Sequence, residues 1–535
     1  MVEPSTRLGV VALVIGLCVF ATSAPGGESL PKERSVATSA PLAASCAELT
    51  PAALRGKRIF QRGVTADGRP IEGAIVNGAA TLSSRDAACS SCHAPGGEGT
   101  VEGSLATPPL TPERLSSPTR ERRAYDAATL AIAIREGRSP SARRLSPVMP
   151  QYRLREGDLT DLVAYLGCVG RDPDPGVTET ALKLGAALPL TGPAATMGAS
   201  TREVLLAAFA EVNAQGGIFQ RRIELDVEDS GGAAGEPGAT ARLLDRGALA
   251  LLGTVWRGDP GLQSRLGEER APLLVSRGAG AIASDGVVFQ IQPGPDALAR
   301  VAVKHLTESR PAVSTADLVV HTRDDAGELW TAGARVEAAR RGLPAPTSLA
   351  FGPHHLDVRA VVEAAQRRHA RAILFWGPGE DLARCAAAFP PSSGVPIYAW
   401  LGSIAEEPET SSHPTFDSVL FLYSGPLGEE ARASSDALRA FLRRSHVPPG
   451  PLGAQASAYV SARVLIEALK RAGAHVTREG LIAALEGMRD FDAGPAPLVS
   501  FGRDRRIGAL GARLVQLAPT SGVAVSASRW IDLVL

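Results

Sequence analysis

The chain lacks an excess of charge of either sign: lysine plus arginine and aspartate plus glutamate both number 56. No net field draws it to nucleic acid or to an anionic membrane, so no nucleic-acid partner is expected. It also lacks a membrane-length hydrophobic run near its start. The apolar stretch Leu8 to Ala21, after Arg7, is ~14 residues, the length of a signal-peptide core and short of the roughly 20 that span a bilayer. Small residues Thr22-Ser23-Ala24 follow, so residues 1–24 read as an export signal and the mature protein as periplasmic. An uncleaved anchor is the alternative. Cys18 follows a bulky Leu17, which argues against lipid attachment. Aromatics make up only 4%, which excludes little in an α/β protein. Beyond residue 180 there is no nucleophile motif, phosphate loop or metal-ligand cluster, so the chain reads as a carrier and binder rather than an enzyme.

Histidine is almost absent from the first half, where His93 is the only one before His305. It stands in Cys89-Ser90-Ser91-Cys92-His93, the C-x-x-C-H spacing of covalent c-type haem attachment. Two thiols add across the haem vinyl groups, and the next histidine sits beneath the iron as its proximal ligand. A zinc half-site would need a second ligand pair nearby, and a redox dithiol a βαβ context. Neither is present. The only methionine between Cys46 and Cys168 is Met149, in Pro147-Val148-Met149-Pro150. The prolines keep it out of helix interiors and central strands, so it belongs to a stiff loop. A thioether held there can face the iron opposite His93, the His/Met ligation that raises reduction potential. A core-filling methionine is the alternative, but there is no second local histidine for bis-histidine ligation. One motif implies one haem c. With both axial positions filled it shuttles single electrons and offers no open position for oxygen or peroxide chemistry.

Residues 25–45 are small and polar and read as a flexible tether. A helix is expected from Thr50, an N-cap followed by Pro51, to Gly63. Others are expected at Tyr125 to Gly137 and Asp158 to Leu166, each with one apolar face. Residues 46–170 resemble a class I cytochrome c domain, on Gly56 and Phe60, Cys89-x-x-Cys92-His93, Met149-Pro150 and Ala164-Tyr165-Leu166. The resemblance implies a small all-α domain whose first and last helices cross at Gly56 against Tyr165, with His93 and Met149 as axial ligands. Cys46 and Cys168 bracket those helices, and an oxidising compartment favours a disulfide between them. The long insert between Gly63 and Cys89 departs from the pattern and is expected to touch no ligand. Cys385, in an alanine-rich helix, reads as a buried small hydrophobe.

Asp172-Pro-Asp-Pro-Gly176 is a turn-rich break, and residues 171–180 read as a linker. Strand-like runs then recur at Leu182 to Leu188, Ile223 to Glu228, Ala248 to Gly253, Leu273 to Val275, Leu318 to His321, Ala372 to Trp376 and Ile397 to Trp400. Helical stretches separate them, such as Thr201 to Asn213. Such alternation implies parallel sheets covered on both faces, and about 350 residues suit two lobes better than one. Residues 181–535 resemble the type I periplasmic binding proteins of the leucine/isoleucine/valine receptor family, which serve ABC transporters. The matching residues are Gly185-Ala-Ala-Leu-Pro-Leu-Thr-Gly-Pro193, Ala210-Glu-Val-Asn-Ala-Gln-Gly-Gly-Ile218, Val227-Glu-Asp-Ser230, Ala458 to Leu469 and Leu498 to Asp504. The resemblance implies a two-lobed α/β fold that closes on a small-molecule ligand by hinge motion.

The amino-acid recognition residues of that family are missing. Trp256-Arg257 stands where a serine pair is expected, Gly280 where a threonine is, and Ala326 where a tyrosine is. The chain offers Trp256, Trp376 and Trp400 at strand ends instead, where ligands of open α/β sheets bind, with Arg257, Ser276 and Arg277 nearby. Ordinary core filling is the alternative for each tryptophan, and surface charge for each arginine. The remaining histidines, His354-His355 included, read as surface residues. Three functions fit: an electron relay to a redox partner such as a periplasmic dehydrogenase or cytochrome, with the binding module serving the same oxidation system; the solute receptor of an ABC permease with an accessory haem; or a sensor coupling ligand to haem redox state.

Overall fold

The computed structural model describes residues 46, 49–102, 105–231, 235–278, 282–283, 286–310, 317–404, 416–517 and 524–533. The signal, the tether, Cys18 and Gly280 lie outside them. Among the described residues no helix is long and apolar enough to cross a membrane.

Helix Pro51–Arg62 starts where the Thr50 hydroxyl accepts from the Ala53 amide and stops at Gly63, whose φ of 65° needs no Cβ. It crosses helix Glu156–Leu166 at Gly56. A Cβ there would lie 1.9 Å from the Asp161 carbonyl oxygen and 2.9 Å from Tyr165 Cβ, so only glycine permits this approach. Phe60 and Tyr165 meet edge to face at 5.4 Å beside it, and Arg55 pairs with Asp161 at 2.7 Å. Helix Ala127–Glu136 completes the core with Leu130 and Ile134. Cys46 and Cys168 are joined by a disulfide, with Cα atoms 5.4 Å apart.

The second domain has two lobes. The first holds an all-parallel sheet in the order Val288–Gln290, Leu273–Gly278, Ala250–Trp256, Ala181–Leu188, Arg222–Asp229. The second lobe's parallel strands run Thr347–Phe351, Leu318–Thr322, Ile373–Trp376, Ile397–Trp400, Val419–Tyr423. Gly511–Leu517 and Ala524–Ser526 then add antiparallel, so this sheet is mixed rather than purely parallel. Strand Leu318–Thr322 is buried along its whole length, because cores lie on both faces of the sheet. Helices Gly428–Arg444, Leu452–Ala472 and Arg478–Glu486 return to the first lobe's core. Two of the segments that pass between lobes run side by side: Gly508 donates its N–H to Gln290 O at 2.7 Å, and Ala509 to Ile291 O at 2.9 Å.

Residues 171–180 do more than connect. Lys57 of the first helix pairs with Asp172 at 2.7 Å and Asp174 at 2.6 Å. Burial alone would lower the Lys57 pKa, but Asp174 and Asp172 outweigh it and raise it. The backbone N–H of Arg478 donates to Asp174 at 2.5 Å, fixing the break to the first lobe. A second contact joins Arg85 to Glu486 at 2.8 Å, and Glu486 also pairs with buried Arg506 at 2.7 Å. The expectation that histidines outside the motif are surface residues fails at His321, which is 2% exposed with Nδ1 2.9 Å from Thr322 O. His354 and His355 are exposed.

Two outcomes follow from this packing. Gly56→Ala forces the crossing helices apart and destabilises the first domain by about 1–3 kcal/mol or more. Denaturant unfolding reads this, and an unchanged midpoint refutes the close-approach account. Glu486→Gln leaves Arg506, whose side chain is 2% exposed, without its counter-charge. That costs about 3 kcal/mol or more, measured as a lower unfolding midpoint of the first lobe.

Candidate functional site

The short helix Ser90–His93 begins at Cys89. His93 is 7% exposed, and its Nδ1 lies 2.8 Å from the Pro108 carbonyl oxygen. A carbonyl only accepts, so Nδ1 carries the proton and Nε2 keeps its lone pair for a metal. Burial pushes the imidazole pKa down, against the opposing effect of that hydrogen bond, which favours the neutral ring that ligation requires. The hydroxyls of Thr100 and Thr107 donate to Cys92 O at 2.7 and 2.6 Å, folding the following loop back onto the motif. Neither Cys89 nor Cys92 is disulfide-bonded. Burial pushes the Cys89 thiol up to about 12, partly opposed by a hydrogen bond with Tyr152. Two thiols and an imidazole of fixed tautomer, in this order along one turn, fit a covalently held haem.

Met149 is partly buried on the loop before strand Gln151–Tyr152. The insert, expected to touch no ligand, braces the loop on either side of Met149. Its strand Glu72–Ile75 pairs antiparallel with Gln151–Tyr152, and the Val76 N–H donates to Pro147 O at 2.7 Å. Gly73 permits the contact, since a Cβ there would sit 2.6 Å from Pro150 Cβ. The Tyr152 hydroxyl then donates to Ala87 O at 2.8 Å, tying the methionine segment to the residues just before Cys89. Pro108, Gly73 and Tyr152 escaped sequence reasoning. Pro108 acts through a carbonyl, which leaves no side-chain signal, and the other two act through a strand pairing invisible in one sequence.

In the second domain, the structure separates the candidate ligand residues. Trp256 is 1% exposed within the first lobe's core, so it fills that core and is not presented to a ligand. Ser276 donates its hydroxyl to Thr254 O at 2.7 Å, which satisfies it within the sheet. Arg257 is exposed. Nearby Glu236, an acid the sequence reading did not pick out, has its pKa pushed up to about 7 by burial, against the lowering effect of Arg257.

Trp376 and Trp400 do come together, but on each other. Their rings stack at 5.4 Å with 12° between planes, and Trp376 also lies 5.4 Å from the fully buried Trp330. Arg277, on the first lobe, places its guanidinium carbon 4.6 Å from the Trp400 ring centroid. Trp400 therefore has ring contacts with both Trp376 and Arg277 within the chain. The two tryptophans serve the second lobe's core and the contact between lobes.

Comparisons with known proteins agree with this architecture. Residues 181–522 match the family model for periplasmic binding protein, and residues 76–169 that for cytochrome c. No curated protein matches the chain. Among solved structures, it is similar to a fatty acid ABC transporter substrate-binding protein from Thermomonospora curvata, at 22% identity and a TM-score of 0.52, over 68% of this chain and 95% of that one. A type 1 periplasmic binding protein from Bordetella pertussis Tohama I aligns at 19% identity and a TM-score of 0.50, over 66% of this chain and 100% of that one. An ABC transporter substrate-binding protein from Sphaerobacter thermophilus aligns at 18% identity and a TM-score of 0.50, over 65% and 97%. At these identities the likeness establishes the fold. With the family match covering most of its length, the chain belongs to the periplasmic binding proteins, and it carries a cytochrome c domain ahead of the binding fold.

Proposed function

We propose that this is an exported, single-haem electron carrier fused to a small-molecule receptor, working in the periplasm beside an oxidation system. Cys89 and Cys92 would hold one haem c covalently, and His93 and Met149 would ligate its iron. Bound there, the haem supplies reversible one-electron transfer at a potential raised by thioether ligation. The residues supply the rest. Pro108 holds the proton on His93 Nδ1, and Tyr152 and the Glu72–Ile75 strand position the methionine loop.

The observation that carries this reading is the fixed tautomer of His93, with Nδ1 2.8 Å from Pro108 O. A histidine aimed by an acceptor-only partner, directly after two thiols, is arranged for ligation. The electron partner on this reading is a periplasmic dehydrogenase or cytochrome. The second reading, the solute receptor of an ABC permease, is favoured by the binding-protein fold of residues 181–522, and the two share a ligand-binding cleft.

Met149→Ala should abolish the sulfur-to-iron absorption band near the red end of the oxidised spectrum and lower the midpoint potential. An unchanged spectrum sinks the methionine assignment. Pyridine haemochrome analysis should count one haem per chain, and a count of two contradicts the stoichiometry.

A further inference from the structure

Arg277 differs in its surroundings from other arginines of the first lobe. Arg270 pairs with Glu479, Arg478 with Glu269 and Arg506 with Glu486. Arg277 has no carboxylate partner among the described residues. Its contacts are the Trp400 ring at 4.6 Å and, through Nε, the Gln292 side-chain oxygen at 3.3 Å. Burial, with no counter-charge to offset it, pushes its pKa down. Arg277 is half-buried, and a cation so placed with no anion beside it can take one as its charge partner.

Part of the Arg277 side chain is open to solvent, where an anion can reach it. A guanidinium presents its N–H donors in one plane. Among the described residues only Nε is hydrogen-bonded, to Gln292, so the terminal nitrogens keep the fork that matches a carboxylate. The platform is stiff, because Trp400 is backed by Trp376 at 5.4 Å and Trp376 by the fully buried Trp330 at 5.4 Å. Arg277 ends strand Leu273–Gly278 of the first lobe, whereas Trp400 ends strand Ile397–Trp400 of the second. The oriented fork therefore exists only when the lobes are together, and an anion bound to it favours that state.

We propose that Arg277, held over Trp400, is the anion anchor of the cleft, and that the ligand is a small organic carboxylic acid without an α-ammonium group. This rests on the receptor reading and deepens it, since it names the ligand class and the residue that selects it. Trp400 then orients the arginine and does not stack on the ligand itself. Arg257 is exposed and is the less suited of the two arginines.

The test is calorimetric titration of the full-length holoprotein with matched probes: 4-methylpentanoate, benzoate and octanoate, the corresponding amides, and leucine. Each acid that binds should do so at least about 100-fold more tightly than its amide, the range expected for a charge-assisted fork. Arg277→Gln should erase that preference and leave the haem spectrum and far-ultraviolet circular dichroism unchanged. Without any ligand, the same variant should alter tryptophan fluorescence, because Trp400 loses its cation. Equal binding of acids and amides, acid binding retained by Arg277→Gln, or leucine binding as tightly as 4-methylpentanoate overturns the carboxylate anchor and leaves the receptor reading standing. Failure of every probe to bind the wild-type protein counts against both.

Discussion

The arrangement of the chain depends on Asp174. One carboxylate accepts from the Lys57 ammonium on the first domain's leading helix and from the backbone N–H of Arg478 on the first lobe. Asp174 is only 6% exposed, so both bonds are made where water competes poorly. The consequence is that a segment rich in proline and glycine, flexible by composition, is held at Asp174 to both domains. Arg85 and Glu486 add a second point of attachment beside the haem motif. A cytochrome domain pinned at two places to a receptor lobe is a different object from two modules on a string, and it gives the fusion a physical reason to act as one unit.

Much of this was legible in the sequence because the signals are local. Thr50 before Pro51 and Gly63 after Arg62 mark helix ends by chemistry that any sequence displays. The motif at Cys89 and His93 carries its own spacing, and the alternating apolar runs specify layered sheets before any coordinate is known. What stayed hidden involves partners far apart in the chain. The insert strand that braces the Met149 loop pairs residues more than seventy positions apart, as Gly73 with Tyr152. Nothing local distinguishes Gly73 from a turn glycine.

The tryptophans teach the same lesson from the other side. Placing Trp256, Trp376 and Trp400 at strand ends was sound, since all three end strands. Strand position fixes where a side chain starts, not what covers it. Trp256 is absorbed by the first lobe's core, and the other two find each other and Arg277. Scarcity makes this column conspicuous: the chain has five tryptophans, and Trp330, Trp376 and Trp400 stand in one stack. A protein with few aromatics has gathered three of its largest beneath one arginine that has no carboxylate partner among the described residues.

The central claim is that the first domain carries one haem held between His93 and Met149 and cycles by single electrons. The most direct measurement is a redox titration of the exported, purified protein followed at the haem absorbance. The account predicts one reversible one-electron wave, at a potential in the range that thioether ligation gives rather than the lower range of bis-histidine or open sites. Two resolved waves, or a single wave at low potential with the spectrum of an open iron, would contradict it.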